Sequence, residues 1–161
     1  MHTFQTTRRV PFSAEQMFEV VADVERYPEF LPLCESIDVR SRDRRGVETE
    51  LVATMAVGYR SIAESFTSRV TLQPDKGQIL VAYLDGPFSH LENRWSFRDV
   101  SKGSEVFFFI TYEFRSTMLA LLMGAVFDKA VRKFANAFEE RARDLYGGPA
   151  ASTKIANSSN S

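Results

Sequence analysis

The spacing of hydrophobic and polar residues changes several times along the chain, and each change marks an element. Thr3 to Val10 reads as a strand that ends at Pro11-Phe12-Ser13. Ser13 with Gln16 three residues on has the pattern of a capping box, in which each side chain satisfies the other's backbone N–H. A helix is expected over roughly Ala14 to Asp23, with Met17, Phe18, Val21 and Val24 at helical spacing. The segment Tyr27-Pro28-Glu29-Phe30-Leu31-Pro32 holds at most one short helical turn, because a proline restricts the residue before it. Phe30 and Leu31 are expected to stand exposed on it.

From Val47 the period is two. Val47, Thr49, Leu51, Ala53, Met55 and Val57 take one face, and Glu48 and Glu50 the other, until Gly58 interrupts the run. Ile62, Phe66, Val70 and Leu72 share a face of the next strand. Gln73-Pro74-Asp75-Lys76-Gly77 is a turn, with Pro setting φ and Gly permitting positive φ. Ile79 to Leu84 forms a strand broken by Asp85-Gly86-Pro87. Leu91, Asn93, Trp95 and Phe97 then alternate with His90, Glu92, Arg94 and Arg98. After a turn at Ser101 to Ser104, the last strand runs from Val106 to Arg115.

From Thr117 to Tyr146 the spacing is helical again. The second half is amphipathic, with Ala130, Val131, Phe134, Phe138, Ala142 and Leu145 on one side. The first half, Met118 to Phe127, is apolar all round, so cover on every side is expected. Hairpin-length connections make the sheet antiparallel, and one long helix against it is an α+β arrangement. A sheet wrapped on a single helix leaves room for a pocket between them.

The chain has 161 residues, enough for one domain with a sizeable core. Residues 1–147 are expected to form it, and the Ser/Asn-rich stretch 148–161 to be a disordered tail. Lys plus Arg is 20 and Asp plus Glu 21, a net charge of -1 that argues against a dedicated DNA binder. The ten apolar residues from Met118 to Phe127 are too few to span a bilayer, which takes about 20. No apolar signal core follows Met1, so the expected location is cytoplasmic, or peripheral at the inner face of the cell membrane (the matrix side in a mitochondrion).

One cysteine excludes an intramolecular disulfide framework and a multi-cysteine metal centre. Cys34 as a nucleophile would need a paired base, and the only histidines are His2, near the start, and His90, on the polar face of its strand. Cys34 is therefore read as a small, partly buried residue. No ligand spacing suggests a metal, and neither GxGxxG nor GxxxxGK[ST] occurs. Asp23 and Glu25 are expected to serve a structural ion pair, with Arg26 or an arginine of another strand, because an acid at a helix C-terminus is poorly placed. Arg40-Ser41-Arg42-Asp43-Arg44-Arg45 is read as a solvated hairpin turn, with anionic headgroups or RNA phosphates as the sharper alternatives. The unusual count is 14 Phe.

Three segments carry a resemblance. Phe18-x-x-Val21-x-Asp23-Val24-Glu25-x-Tyr27-Pro28-x-Phe30-Leu31-Pro32-x-Cys34 resembles the N-terminal signature of the coenzyme Q-binding START-domain family, within the polyketide cyclase and lipid-transfer superfamily. Gly86-Pro87-Phe88-x-x-Leu91-x-x-x-Trp95-x-Phe97 resembles its late-strand motif, and Ala137-Phe138-Glu139-x-Arg141-Ala142-x-x-Leu145-Tyr146-Gly147 the end of its last helix. Leu33 departs from the family, which often has an aromatic there. The resemblance implies a helix-grip fold (START/Bet v 1-like), with a curved antiparallel sheet of six or seven strands around the C-terminal helix.

It also implies binding, without chemical conversion, of coenzyme Q (ubiquinone) or a similar polyisoprenoid lipid, in support of respiratory electron transport. A closely similar branch acts as a ribosome-association toxin that blocks joining of the subunits, so a ribosomal partner is the alternative. A polyketide cyclase-like enzyme is the second alternative. No catalytic residue, metal or separate cofactor is assigned. Strand parity and the family together suggest Met55, Phe66, Leu80, Trp95, Phe108, Ile110, Leu122, Val126 and Phe127 as the cavity lining. Tyr27, Pro28, Phe30, Leu31, Pro32, Met118, Leu119 and Met123 are expected at its mouth or against a membrane. Phe18, Phe97, Phe114 and Phe138 are assigned to plain core.

Overall fold

The computed structural model describes residues 1–147. The reading of 148–161 as a tail lies outside the described residues. Seven strands form one antiparallel sheet in the order β1-β7-β6-β5-β4-β3-β2. They are β1 (His2–Val10), β2 (Cys34–Arg45), β3 (Glu48–Tyr59), β4 (Ile62–Gln73), β5 (Gln78–Asp85), β6 (Phe88–Val100) and β7 (Gly103–Phe114). Helix α1 (Ala14–Ala22) and a 3₁₀ segment (Val24–Glu29) lie between β1 and β2, and α2 (Thr117–Tyr146) is the last element among the described residues. At 30 residues α2 is about 45 Å long.

Local chemistry explains where the elements start. Ser13 accepts from the Gln16 backbone N–H, and the Gln16 side chain accepts from the Ser13 N–H, so the capping box opens α1 as expected. Ser116 caps α2 by accepting from the Leu119 N–H at 3.2 Å. Gly103 lets the β6–β7 turn close against β1: its φ is 154°, and a Cβ there would stand 1.9 Å from the Val10 carbonyl oxygen. Pro28 sits inside the 3₁₀ segment, which is longer than the single turn expected for it.

Three expectations are corrected. Arg40 to Arg45 is not a turn but the end of β2, and the turn is Gly46-Val47, with Gly46 at φ 65°. The strand carries only Ile37 and Val39 as large apolar residues, so its alternation is too short to mark a strand of twelve residues. As an edge strand it needs no more, and its charges disfavour pairing with another chain. The first half of α2 is not covered all round: Met118, Leu121 and Leu122 are 69%, 81% and 58% exposed. Leu145, placed with the apolar face of α2, is also exposed.

The core lies between the concave face of the sheet and the two helices. Tyr112, Phe108, Met17, Leu51, Ile79, Val21 and Val131 are its most completely buried large side chains. Phe18 and Phe97 meet edge to face at 5.8 Å, and Phe114 stacks on Phe88 at 4.9 Å, so Phe18, Phe97 and Phe114 are core as expected.

Candidate ligand cavity

An internal cavity of about 100 Å³ lies between the sheet and α2. Strand parity builds its floor. Met55 on β3 pairs with Phe66 on β4, Val70 with Val81 on β5, Ile79 with Trp95 on β6, and Trp95 with Phe108 on β7. These residues and Ile110 all line it. Helix α2 supplies Phe127, Phe134 and Phe138 as the roof, and Tyr27, Leu31, Pro32 and Leu33 close one side.

Trp95 is 3% exposed, with Phe108 at 4.6 Å and Phe138 at 5.0 Å. Phe138 is thus part of the cavity wall as well as core. Asn93 is the one amide on the wall, and both ends of it are engaged. Its Nδ2 donates to the Phe109 carbonyl at 2.8 Å, and its Oδ1 accepts from Trp95 Nε1 at 3.2 Å. Tyr27 turns its hydroxyl away, donating to the Val21 carbonyl, while its ring meets Phe138 edge to face at 5.2 Å. Burial pushes its phenol far above the usual tyrosine range. The lining is therefore apolar with its few polar atoms already paired.

Of the residues named from sequence as lining, Met55, Phe66, Trp95, Phe108, Ile110 and Phe127 surround the cavity. Leu80 does not: it stands opposite Thr71 and Arg94, on the convex face, while its neighbours Ile79 and Val81 point inward. Leu122 points to solvent. Val126 lines a smaller pocket next door with Leu33, Met123 and Phe127.

Among the expected mouth residues, Tyr27, Leu31 and Pro32 line the cavity itself. Leu31 is buried, at 6% exposure, and Phe30 is half-buried against Phe138 at 5.3 Å, so neither stands out as a lip. Pro28 is exposed, Leu119 half-buried and Met123 buried, while Met118 faces solvent. Sequence reasoning missed the clamp on this segment. Glu29 receives Arg26 at 3.0 Å and Arg141 of α2 at 2.8 Å, and the Arg141 guanidinium lies over the Phe30 ring. The two guanidiniums hold the Glu29 carboxyl below its usual range.

Leu33 was also missed as a wall residue. It faces the cavity on one side and an outer groove on the other, the groove being lined by Pro32, Tyr59, Val126, Lys129 and Lys133. Its backbone sits in the left-handed region at φ 70°, and its carbonyl accepts from the Gly58 N–H at 3.1 Å. Leucine seldom adopts that conformation, so residue type carried no signal of it.

Cys34 is buried, and desolvation pushes its thiol up to about 11. Its sulfur neighbours the Ser36 carbonyl at 3.9 Å. Glu25 of the 3₁₀ segment pairs with Arg42 of β2 at 3.2 Å, as expected of it, whereas Asp23, for which the same was expected, is in no ion pair among the described residues. Arg40 pairs with Asp38 at 3.5 Å and Arg45 with Asp43 at 2.9 Å, so the basic run is largely neutralised by its own strand. Among the described residues no group of three or more His, Cys, Asp or Glu is placed to hold a metal.

A curved antiparallel sheet closed by one long helix over an apolar cavity defines the helix-grip class, START-like and Bet v 1-like. The polyketide cyclase/dehydrase and lipid transport family matches residues 10–139, and the chain belongs to that family. It is 37% identical over 139 residues to the ribosome association toxin RatA of Vibrio cholerae, covering 86% of this chain and 93% of that protein. It is 29% identical to the mitochondrial coenzyme Q-binding protein COQ10 of Drosophila melanogaster, covering 99% of this chain and 66% of that one. Among solved structures, the 18 kDa protein CC1736 of Caulobacter crescentus superposes with a TM-score of 0.74 at 33% identity, over 92% of this chain and all of that one. The Zhui aromatase/cyclase of a Streptomyces species has a TM-score of 0.77 at 20% identity, covering 92% and 99%, a likeness of fold alone.

Proposed function

We propose that the chain binds a long apolar ligand, coenzyme Q or a similar polyisoprenoid lipid, in the cavity between sheet and α2, without converting it chemically. The observation that carries this reading is the lining: aliphatic and aromatic side chains with the Asn93 amide already committed at both ends. Such a wall offers burial rather than chemistry. Burial gives about 25 cal/mol per Å², so ~300 Å² of isoprenoid contributes ~7 kcal/mol before the costs of association. The similarity to COQ10 points the same way. A role in respiratory electron transport follows for a protein that carries quinone.

The cavity of about 100 Å³ is below the roughly 300–1,000 Å³ of ordinary ligand sites, so uptake requires the walls to part. Leu33 and Phe134 are half-buried wall residues, and rotation of their side chains would enlarge the cavity. Organic extraction of the purified protein and mass spectrometry test the reading. A quinone or isoprenoid at close to one per chain is expected, and protein free of lipid from quinone-containing cells overturns it.

Ribosome association is the second reading, favoured by the 37% identity to RatA. It predicts co-sedimentation with the large ribosomal subunit. The binding surface would not be an open basic patch on β2, since three of the four arginines there are paired. Arg42→Glu combined with Arg44→Glu tests whether that strand contributes.

A further inference from the structure

Exposed apolar side chains are not scattered over this molecule. Of the nine large ones among the described residues, Met1, Tyr59, Leu84, Met118, Leu121 and Leu122 lie at one end. It is the end where β3, β5 and β7 finish and where β1 and α2 begin. A patch of this kind on a soluble domain marks a contact surface.

The charges around the helical part of the patch are arranged asymmetrically. Thr117 to Phe127 carries no charged side chain. Met123 and Phe127 point into the protein, while Met118, Leu121 and Leu122 point out. Arg115 precedes this block, and Lys129 and Lys133 follow it, and none of the three is in an ion pair among the described residues. The one acid nearby on the helix, Asp128, is taken up by Arg132 at 3.1 Å. The other acids at this end, Glu35, Glu64, Asp85 and Glu113, belong to the strands. The helix thus presents leucine and methionine flanked by cations without an ion-pair partner, Arg115 donating only to the Gly86 carbonyl at 2.9 Å, the composition of a segment that lies in the interface of an anionic bilayer. Lys129 and Lys133 also line the groove whose inner wall is Leu33, so the same face borders the cavity.

We propose that this end of the protein docks peripherally on anionic lipid bilayers. The first turns of α2 seat Met118, Leu121 and Leu122 at the headgroup–acyl boundary, with Arg115, Lys129 and Lys133 against lipid phosphates. The purpose of the contact, transfer of a lipid past Leu33, rests on the reading in the preceding section. The docking itself does not.

Flotation of the full chain with phosphatidylcholine vesicles, with and without phosphatidylglycerol, tests it. Wild type is expected to float with the anionic vesicles and less with phosphatidylcholine alone, the difference shrinking at high salt. Leu121→Asp with Leu122→Asp should lower partitioning by at least about tenfold, since two exposed apolar anchors are lost. Lys129→Glu with Lys133→Glu should lower it several-fold at low salt only. All these side chains are exposed, so melting temperatures should stay at the wild-type value, which separates loss of docking from loss of fold. Wild type that does not float, or a leucine variant that floats as well as wild type, overturns the proposal. A dimer in sedimentation equilibrium that the leucine variant abolishes, without vesicle binding, assigns the patch to a second copy and overturns it too. Lipid found by extraction in a protein that does not float refutes docking and leaves the cavity reading standing. The reverse result does the opposite.

Discussion

Leu33 stands between the cavity and the outer groove with its backbone at φ 70°. Left-handed backbone costs a residue bearing a Cβ about 1–2 kcal/mol, and glycine escapes that cost. Leu33→Ala and Leu33→Gly therefore remove the same plug, but only the glycine relieves the backbone. Glycine gives back part of the gain through the freedom of its unfolded chain, about 0.5–1 kcal/mol. The net expectation is a glycine variant more stable than the alanine variant by about 0.5–1 kcal/mol. For a chain of this length that is roughly 1–4 °C in melting temperature. Both variants should take up a short-chain quinone faster than wild type, read by stopped-flow quenching of Trp95. An alanine variant as stable as the glycine variant would refute the strain. Uptake at the wild-type rate in both would refute Leu33 as the barrier.

Other outcomes follow from the same structure. The buried Cys34 thiol, pushed up to about 11, should react slowly with Ellman's reagent near neutral pH and at the rate of a free thiol after denaturation. The sign for stability is a loss on the alkaline side: the folded protein holds this proton more tightly, so its contribution is intact below about pH 9 and declines as pH rises toward 11. Cys34→Ala should flatten that decline in a melting-temperature series against pH. Glu139 holds Arg8 of β1 at 2.9 Å and Arg143 at 3.2 Å, all three mostly buried, so Glu139→Ala should cost about 1–3 kcal/mol, seen in urea unfolding. Gly103→Ala should leave little folded protein by circular dichroism, because the new Cβ would meet the Val10 carbonyl and the backbone would remain at φ 154°.

The floor of the cavity was legible where polar residues fix the parity: Glu92, Arg94 and Arg98 stand on the face opposite Trp95 on β6, Glu105, Thr111 and Glu113 opposite Phe108 and Ile110 on β7, and Glu48 and Glu50 opposite Met55 on β3. Parity failed where the chain offers no polar reference. Ile79, Leu80 and Val81 are three apolar residues in a row, and nothing local tells which of them points in. The same ambiguity misplaced Leu122, in a helical stretch where every position is apolar. Strand β2 was hidden because, as an edge strand, it alternates only at Ile37 and Val39 and then runs into charged residues. The role of Leu33 and the Glu29–Arg141 clamp arise from contacts between segments far apart in the chain, and no local pattern carries them.

Trp95 is the one tryptophan of the chain and lies in the cavity wall, so its fluorescence reports on this site and no other. Titration with a short-chain ubiquinone is the most direct test of the binding claim. Bound quinone should give saturable quenching that reaches its plateau at one quinone per chain and is reversed by an excess of a non-quenching isoprenoid alcohol. Quenching that rises linearly without saturation, as from collisions in solution, would contradict it.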